Sequence, residues 1–505
     1  MDEDIPAEER EALLSITHGA VVTSSGISVQ RALSWTIEFV LTRGFGAALY
    51  GVYAFAWRIA FLLFRFGTFG GAQTIQRYVP AYDDPGKRQQ VAGLAYATAA
   101  AVGSAIAVGL VLGAPRINVA TVADPLFPPT LGVLAALIVL VGVVKVHAAL
   151  LRAVGSARGA VLFNRVLRPG VRLAAAAVAL ALGYSVVGVV GAVVAGTAAL
   201  AFLGFPATVR ATGIRPTLRG TRSEARRFFD HAAPIAASSL GIVFQNRIDV
   251  VLVGVLLTAT AAGVYNVVLV LVAIAWIPLV AFNQLMPPVA SDLHASGKTE
   301  TLDTVYSSIT RLVLTGAIPI VVVQVVYGEA LLGLFGPTFV RGYVPLVVYL
   351  GGVLMGSAVG GNGWLMMMTD HQYARLALNW TLAGANVLLT YLFIREFGLV
   401  GAALGTSIAI GVQNLSEAFV LRHFEGLWPF DRSFLDPLLA GAAMGVVMVG
   451  VRAALPGAVG VVAGTVGGVA VFLGVLCLRG VHPHDRLVVR ELAARYRRQV
   501  VGYST

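Results

Sequence analysis

Arg58 and Arg65 stand seven residues apart in the apolar stretch WRIAFLLFRFGTFGGAQTIQR, residues 57–77. Seven residues is two helical turns less about 20°, so both guanidiniums leave one side of a helix. A guanidinium is permanently charged and meets phosphate or carboxylate through a planar, bidentate fork. At the centre of a membrane helix each such charge costs roughly 2.5–3.5 kcal/mol on insertion scales. Arg58 lies about ten residues, or roughly 15 Å, into its apolar run, deeper than a snorkelling side chain reaches. The chemistry open to such a pair is neutralisation of an anion in a hydrated, protein-lined cavity.

The preceding run, SSGISVQRALSWTIEFV, repeats the pattern. Arg31, Trp35 and Glu38 are spaced i, i+4, i+7 and share a face. Glu38 has a second reading, as the internal counter-ion of an arginine in the next span. Later in the chain, SSLGIVFQNRIDVVLVG places Gln245 and Asp249 on one face, with Arg247 about 160° away from Gln245. Gln245, Asn246 and Asp249 are expected to face the cavity. Lys145, Arg152, Arg165, Arg168 and Arg172 fall near span ends and read as snorkelling. His147 reads as a satisfied core histidine, and Gln413, Asn414 and Glu417 as helix-to-helix hydrogen bonding. The sequence has no nucleophile motif and no P-loop. Cys477 is the single cysteine, and His482 and His484 are too few for a metal site. No catalytic residue, cofactor or metal is expected.

The elements that carry these residues follow from composition. The chain of 505 residues is 57% hydrophobic and 12% charged, with a mean hydropathy of +0.82. Runs of membrane-spanning length recur along it. About fourteen are readable, at 17–41, 48–72, 90–113, 130–151, 160–182, 184–208, 232–257, 264–286, 304–326, 343–366, 376–394, 398–420, 436–454 and 458–478. The expected fold is therefore an all-α polytopic membrane protein. The acidic opening MDEDIPAEEREALL has no basic n-region and reads as a cytoplasmic tail rather than a signal peptide. The net charge of +11 suits loop placement better than nucleic acid. With both termini in the cytoplasm, about 22 Lys/Arg lie on that side and about five on the other.

The chain also repeats itself. YGVYAFAW (50–57) recurs as AGVYNVVL (262–269), and YSVVGVV (184–190) as FGLVGAA (397–403), at shifts of 212 and 213 residues. Asn164 recurs as Asn379 and VQR (29–31) as FQN (244–246), each at a shift of 215. Such near-constant shifts indicate a duplicated six-helix unit. An even number of spans gives the copies one orientation, with a pseudo-two-fold axis along the membrane normal. The organisation expected is a tail at 1–16, an N-lobe at 17–208 and a basic interlobe loop at 209–231. A C-lobe at 232–421, two extra helices at 436–478 and a basic tail at 479–505 complete it.

Several segments together resemble one family. Gly51-Val52-Tyr53 precedes a helix ending in RYVPAY (77–82), and LLRAVGSARGAVLFNRVLR (150–168) follows. HAAPIAASSLGIVFQNRIDVVLVG (231–254), AGVYNVVLVLVAIAWIPLVAFNQLMPPVASDL (262–293), LFGPTFV (334–340) and FGLVGAALGTSIA (397–409) complete the set. These resemble the polysaccharide-unit flippases, translocases of O-antigen and other lipid-linked oligosaccharides. Their superfamily also holds lipid II flippases and multidrug and toxin exporters. The resemblance implies two six-helix lobes around a central cavity and movement of a polyprenyl-(pyro)phosphate-linked glycan to the outer leaflet of the cell membrane. It also implies a cationic cavity, mapped here onto Arg31, Arg58, Arg65 and Arg247. Membrane lipids and glycan-assembly enzymes are the partners it implies. A cation-coupled drug exporter is the nearest rival, but it needs buried carboxylates, and arginines outnumber Glu38, Asp249 and Glu417. A glycan polymerase or ligase needs a long extracytoplasmic loop, and the longest, PRINVATVADPLFPPT, carries only Arg116 and Asp124.

Overall fold

The computed structural model describes residues 7–64, 66–156, 159, 161–245, 248–283 and 286–479. Among the described residues the structure is helical, with short 3₁₀ and π turns and no strand. By contact the chain divides into two compact units, one of residues 29–267 and one of residues 1–28 and 268–505.

The first helix, α1, runs Ala7–Leu63 and breaks at Gly46, where φ of 69° and ψ of 174° suit only glycine. The two spans read at 17–41 and 48–72 are thus joined without a loop. The second is not continuous. It ends at Leu63, makes a 3₁₀ turn at Phe66–Thr68 and resumes as α2, Gly71–Ala81. Phe69 and Gly70 both have positive φ there, and a Cβ on Gly70 would lie 2.4 Å from the Ala232 carbonyl oxygen. α3 (Pro85–Ala120) opens on a cap in which the Asp84 carboxylate accepts from the Gly86 amide at 2.8 Å, with proline in the first turn. α4 is Phe127–Ala153. α5, Arg168–Ala181, is preceded by a π turn at Leu162–Leu167. α6 is Val186–Thr212 and α7 Arg222–Gln245. α8 (Ile248–Leu256) and α9 (Ala259–Ala275) bring the chain to the end of this unit.

The first unit holds together around Ile75, Val79, Val91, Ala95, Val146, Phe228 and Ala232, so α7 packs with α2, α3 and α4. His147 is fully buried and doubly satisfied: its Nδ1 lies 2.6 Å from the Tyr96 hydroxyl and its Nε2 2.9 Å from the Ala201 carbonyl oxygen. It is the core histidine expected from its apolar surroundings.

In the second unit, α9 bends by 53° into α10, Ile277–Asn283. Then come α11 (Met286–Ala295), α12 (Thr299–Gly333), α13 (Tyr343–Val359) and α14 (Asn362–Met368). α15, Gln372–Glu425, is broken at Gly398 into two spans. α16 (Leu435–Ala454) and α17 (Gly457–Arg479) pack along a stripe of Gly460, Gly464 and Gly468. The Tyr327 hydroxyl seals this corner by donating to the carbonyls of Met448 and Gly460, at 3.2 and 3.1 Å. α3 and α12 start 214 residues apart, and α4 and α13 216 apart, in step with the repeat.

Among the described residues, nine stretches are long and apolar enough to cross a membrane, or ten with the bent pair of α9 and α10. Two of these, Val29–Ala81 and Tyr373–Glu425, have 53 residues each and hold two spans apiece. The spans read at 160–182 and 232–257 fall on α5, of 14 residues, and on α7 with α8, of 24 and 9 residues; α5 and α8 are too short to count alone, and α7 opens on the charged stretch RSEARRFFDH. The protein is an all-α polytopic membrane protein.

Candidate functional site

Within the first unit, polar residues on α1, α5 and α9 form one connected chain. An Arg58 Nη donates to the side-chain oxygen of Asn266 on α9, at 2.6 Å. The Asn266 amide donates to the Tyr50 hydroxyl at 2.7 Å, and Tyr50 donates to Glu38 at 2.8 Å. The other oxygen of Glu38 takes an Nη of Arg172 at 3.1 Å. The same nitrogen donates to the Tyr53 hydroxyl. The Arg172 guanidinium lies 3.6 Å from the centre of the Trp57 ring, close enough for a strong cation–π contact.

This arrangement answers the two readings of Glu38. It is buried, at 7% exposure, and it is an internal counter-ion. Its arginine comes from α5 rather than from the second span. Arg172 therefore does not snorkel, as its place near a span end suggested. A buried carboxylate and an aromatic face hold it more favourably than the headgroup region would. Arg58 reaches the Asn266 side-chain amide on α9. Arg31 is half-exposed on the same helix, and Trp35 stacks on Phe39 with centroids 5.4 Å apart.

Asp249 is almost fully buried, and it too is engaged. The Tyr265 hydroxyl donates to one oxygen at 2.9 Å, and the Val250 amide to the other at 2.8 Å. Arg65, Asn246 and Arg247 lie outside the described residues, as does the side chain of Gln245.

Two cavities open inside this unit. One, of about 120 Å³, is walled by Trp57, Phe61, Arg168 and Arg172 and by the hydroxyls of Ser34 and Thr197. The other, of about 550 Å³, shares Phe61, Phe64 and Arg168 and adds Gln73, Gln76, Lys145, Arg152 and Asn164. Arg31 and Arg58 line neither. The cations around these cavities come from α4 and α5, residues that sequence position alone assigned to headgroups. The readable signal was their number, since six Lys/Arg fall between 145 and 172, in two apolar spans and the short turn between them. In the second unit, Gln413 donates to Asn379 across the break in α15 at 2.9 Å, the helix-to-helix bonding expected there, and to Glu417 one turn along its own helix at 3.1 Å.

Chemically, the first unit can hold anions. Positive groups sit on its apolar helices, while among the described residues Glu38 and Asp249 are bound to a tyrosine or an arginine. Among the described residues, no group of three His, Cys, Asp or Glu side chains is placed to hold a metal ion.

The fold has solved counterparts. The lipid II flippase MurJ, in an inward closed conformation, matches 91% of this chain and 98% of its own with a TM-score of 0.72 at 14% identity. An inward-facing multidrug resistance MATE transporter of the MOP superfamily matches 82% of this chain and 98% of its own, with a TM-score of 0.64 at 17% identity. In sequence, the probable low-salt glycan biosynthesis flippase Agl15 of Haloferax volcanii is 25% identical over 202 residues. That alignment covers 40% of this chain and 43% of the relative's length, so the chain spans less than half of that relative. The sequence model described as "Polysaccharide biosynthesis protein" matches residues 16–294, more than half of the chain. The chain is a member of that polysaccharide biosynthesis protein family.

Proposed function

We propose that this protein flips a lipid-linked oligosaccharide or polysaccharide repeat unit across the membrane, from the cytoplasmic to the outer leaflet, for cell-surface glycan assembly. The observation that carries the reading is the charge balance inside the first unit. Among the described residues, Arg58, Lys145, Arg168 and Arg172 lie in its apolar helices, against two buried acids, Glu38, which is paired with Arg172, and Asp249. A lipid-linked glycan carries its fixed negative charge on the (pyro)phosphate. That charge must pass the hydrocarbon, and guanidiniums offer it a paired path. Family membership and the flippase relative support the same substrate class.

In this reading Arg31, Arg58, Arg65 and Arg247 form the cationic cavity, with Glu38, Gln245, Asn246 and Asp249 as its polar partners. The lobes at 17–208 and 232–421 rock about it to give alternating access. The protein resides in the cell membrane with both termini in the cytoplasm, is not an enzyme, and takes its substrate from the enzymes that assemble the glycan. The drug-exporter reading has less support. A carboxylate that carries protons or cationic drugs must be free to exchange partners, and Glu38, Asp249 and Glu417 are each held by named neighbours.

The test is translocation of a fluorescent polyprenyl-pyrophosphate oligosaccharide in proteoliposomes. Wild-type protein is expected to transport it. The folded Arg58→Ala/Arg65→Ala protein is expected to lose at least tenfold in rate, about 1.4 kcal/mol of barrier. Undiminished transport by the double variant would mean that these arginines are structural.

A further inference from the structure

The larger cavity of the first unit has features that its proximity to the headgroups does not explain. Its wall includes the break in the second span between Leu63 and Gly71. Broken backbone at membrane depth is tolerated only where protein or a water-filled cavity satisfies it. Here the freed Phe64 carbonyl accepts from the Lys145 ammonium at 2.7 Å. Facing it is the π turn Leu162–Leu167, a distortion that recurs at functional sites. That turn carries Asn164, whose side-chain oxygen is buried and has no hydrogen-bond partner among the described residues. Arg152 and Arg168 supply two guanidiniums, Gln73 and Gln76 supply amides, and no carboxylate among the described residues lines the space. At about 550 Å³ it falls within the roughly 300–1,000 Å³ of small-molecule sites.

Cations call for an anion, and the buried Asn164 oxygen calls for a donor beside it. A phosphate ester of a sugar carries both, because its oxygens suit the guanidiniums and its hydroxyls suit amide oxygens. We propose that this cavity binds a glycosyl phosphate, and that it is the loading site for the first sugar and phosphate of the transported lipid. The second half of that statement rests on the flippase reading; the affinity for glycosyl phosphate does not. The cavity lies at the end of the unit where α2 and α4 finish and α5 starts. On the proposed orientation this is the cytoplasmic side, where a lipid-linked glycan is assembled. The site is separate from Arg31 and Arg58, and it would act before them.

The test uses the full chain in phosphatidylcholine nanodiscs, with Gln73→Cys introduced beside Cys477→Ser. Gln73 is exposed on the cavity wall, so its alkylation rate reports occupancy while every cation remains. Glucose 1-phosphate is expected to slow alkylation at least fivefold, inorganic phosphate less, and glucose not at all. Adding Arg168→Gln is expected to raise the glucose 1-phosphate concentration needed about tenfold. Arg226→Gln, on an exposed side chain, is expected to leave it unchanged. No protection by glucose 1-phosphate in folded protein would overturn the site. If phosphatidylglycerol in the nanodisc protects equally and glucose 1-phosphate adds nothing, the cavity holds a phospholipid headgroup and the loading assignment falls. Lost protection in Arg168→Gln with transport intact would likewise remove the loading role while leaving the flippase reading standing. Lost transport in Arg58→Ala/Arg65→Ala leaves the protection result unaffected.

Discussion

Glu38 binds the two sides of the polar chain, taking Tyr50 on one oxygen and Arg172 on the other. Removing one partner of a buried ion pair strands the other charge in a poor solvent, which costs about 3–5 kcal/mol. Glu38→Ala and Arg172→Ala are each expected to lower the thermal unfolding midpoint in detergent, by free energies of about 3 kcal/mol. Replacing both by glutamine is expected to recover more than half of that loss. Single variants within about 0.5 kcal/mol of wild type would show that the pair contributes no stability. The sequence left Glu38 either facing a cavity or paired with an arginine of the next span, and the observed partner is Arg172 of α5, because helical spacing gives a face and not a neighbour. Asn266 was legible only as one polar residue in AGVYNVVL, with nothing to connect it to Arg58. A second carboxylate, Asp431, lies outside the membrane helices. Burial raises its pKa, but hydrogen bonds from Ser433 and the charge of Arg311 outweigh that and hold it below the usual carboxylate range. A lowered folded pKa stabilises above the unfolded value of about 3.9 and is lost as pH falls through the folded value. Stability is therefore expected to be insensitive to this group from pH 5 to 8 and to fall in acid below about pH 4. Asp431→Asn should flatten that acid limb, which unfolding at pH 3 and pH 7 measures.

Among the helices, the duplication shows in contacts as well as in letters. Glu38 and Tyr53 recur as Asp249 and Tyr265, displaced by 211 and 212 residues. In the second copy the tyrosine holds the acid directly, whereas in the first Arg172 comes between them. The GVY repeat was readable in the sequence, but its role as a clasp for the preceding helix needed the packing. Breaks were less legible. The turn after Leu63 lies inside a run apolar enough to pass as one span, and only Gly67, Gly70 and Gly71 marked it. The break in α15 is better signed by FGLVGAALG. Gly398 has φ of 56° and ψ of −129°, a region closed to L residues. A Cβ on Gly401 would meet the Phe393 carbonyl oxygen at 1.9 Å, and one on Gly405 the Thr390 side chain at 2.6 Å. Gly398→Ala is expected to cost about 1–3 kcal/mol, and Gly401→Val more, because the two halves could no longer approach. Equal unfolding midpoints for wild type and Gly398→Ala would refute the strain.

For the whole molecule, membrane residence was evident from composition alone, and the fourteen runs fall on helices even where the chain breaks them. What composition could not supply is which of the weaker segments cross. The doubtful one is α5, whose 14 residues span only about 21 Å of a hydrocarbon core about 30 Å thick. With the six-residue π turn before it, the run reaches about 30 Å and can cross. The proposed charge asymmetry expects that it does. On the proposed topology three spans, α4 to α6, separate Arg116 from Arg219, which puts the two in opposite compartments, with Arg219 on the basic, cytoplasmic side. Both side chains are exposed, which makes the claim measurable. With Cys477→Ser as background, Arg116→Cys is expected to react with an impermeant maleimide on intact cells and Arg219→Cys only in inside-out vesicles. Labelling of both from one side would mean that α5 is re-entrant. The interlobe loop would then face outward, while the larger cavity of the first unit, at the ends of α2 and α4, would keep its side.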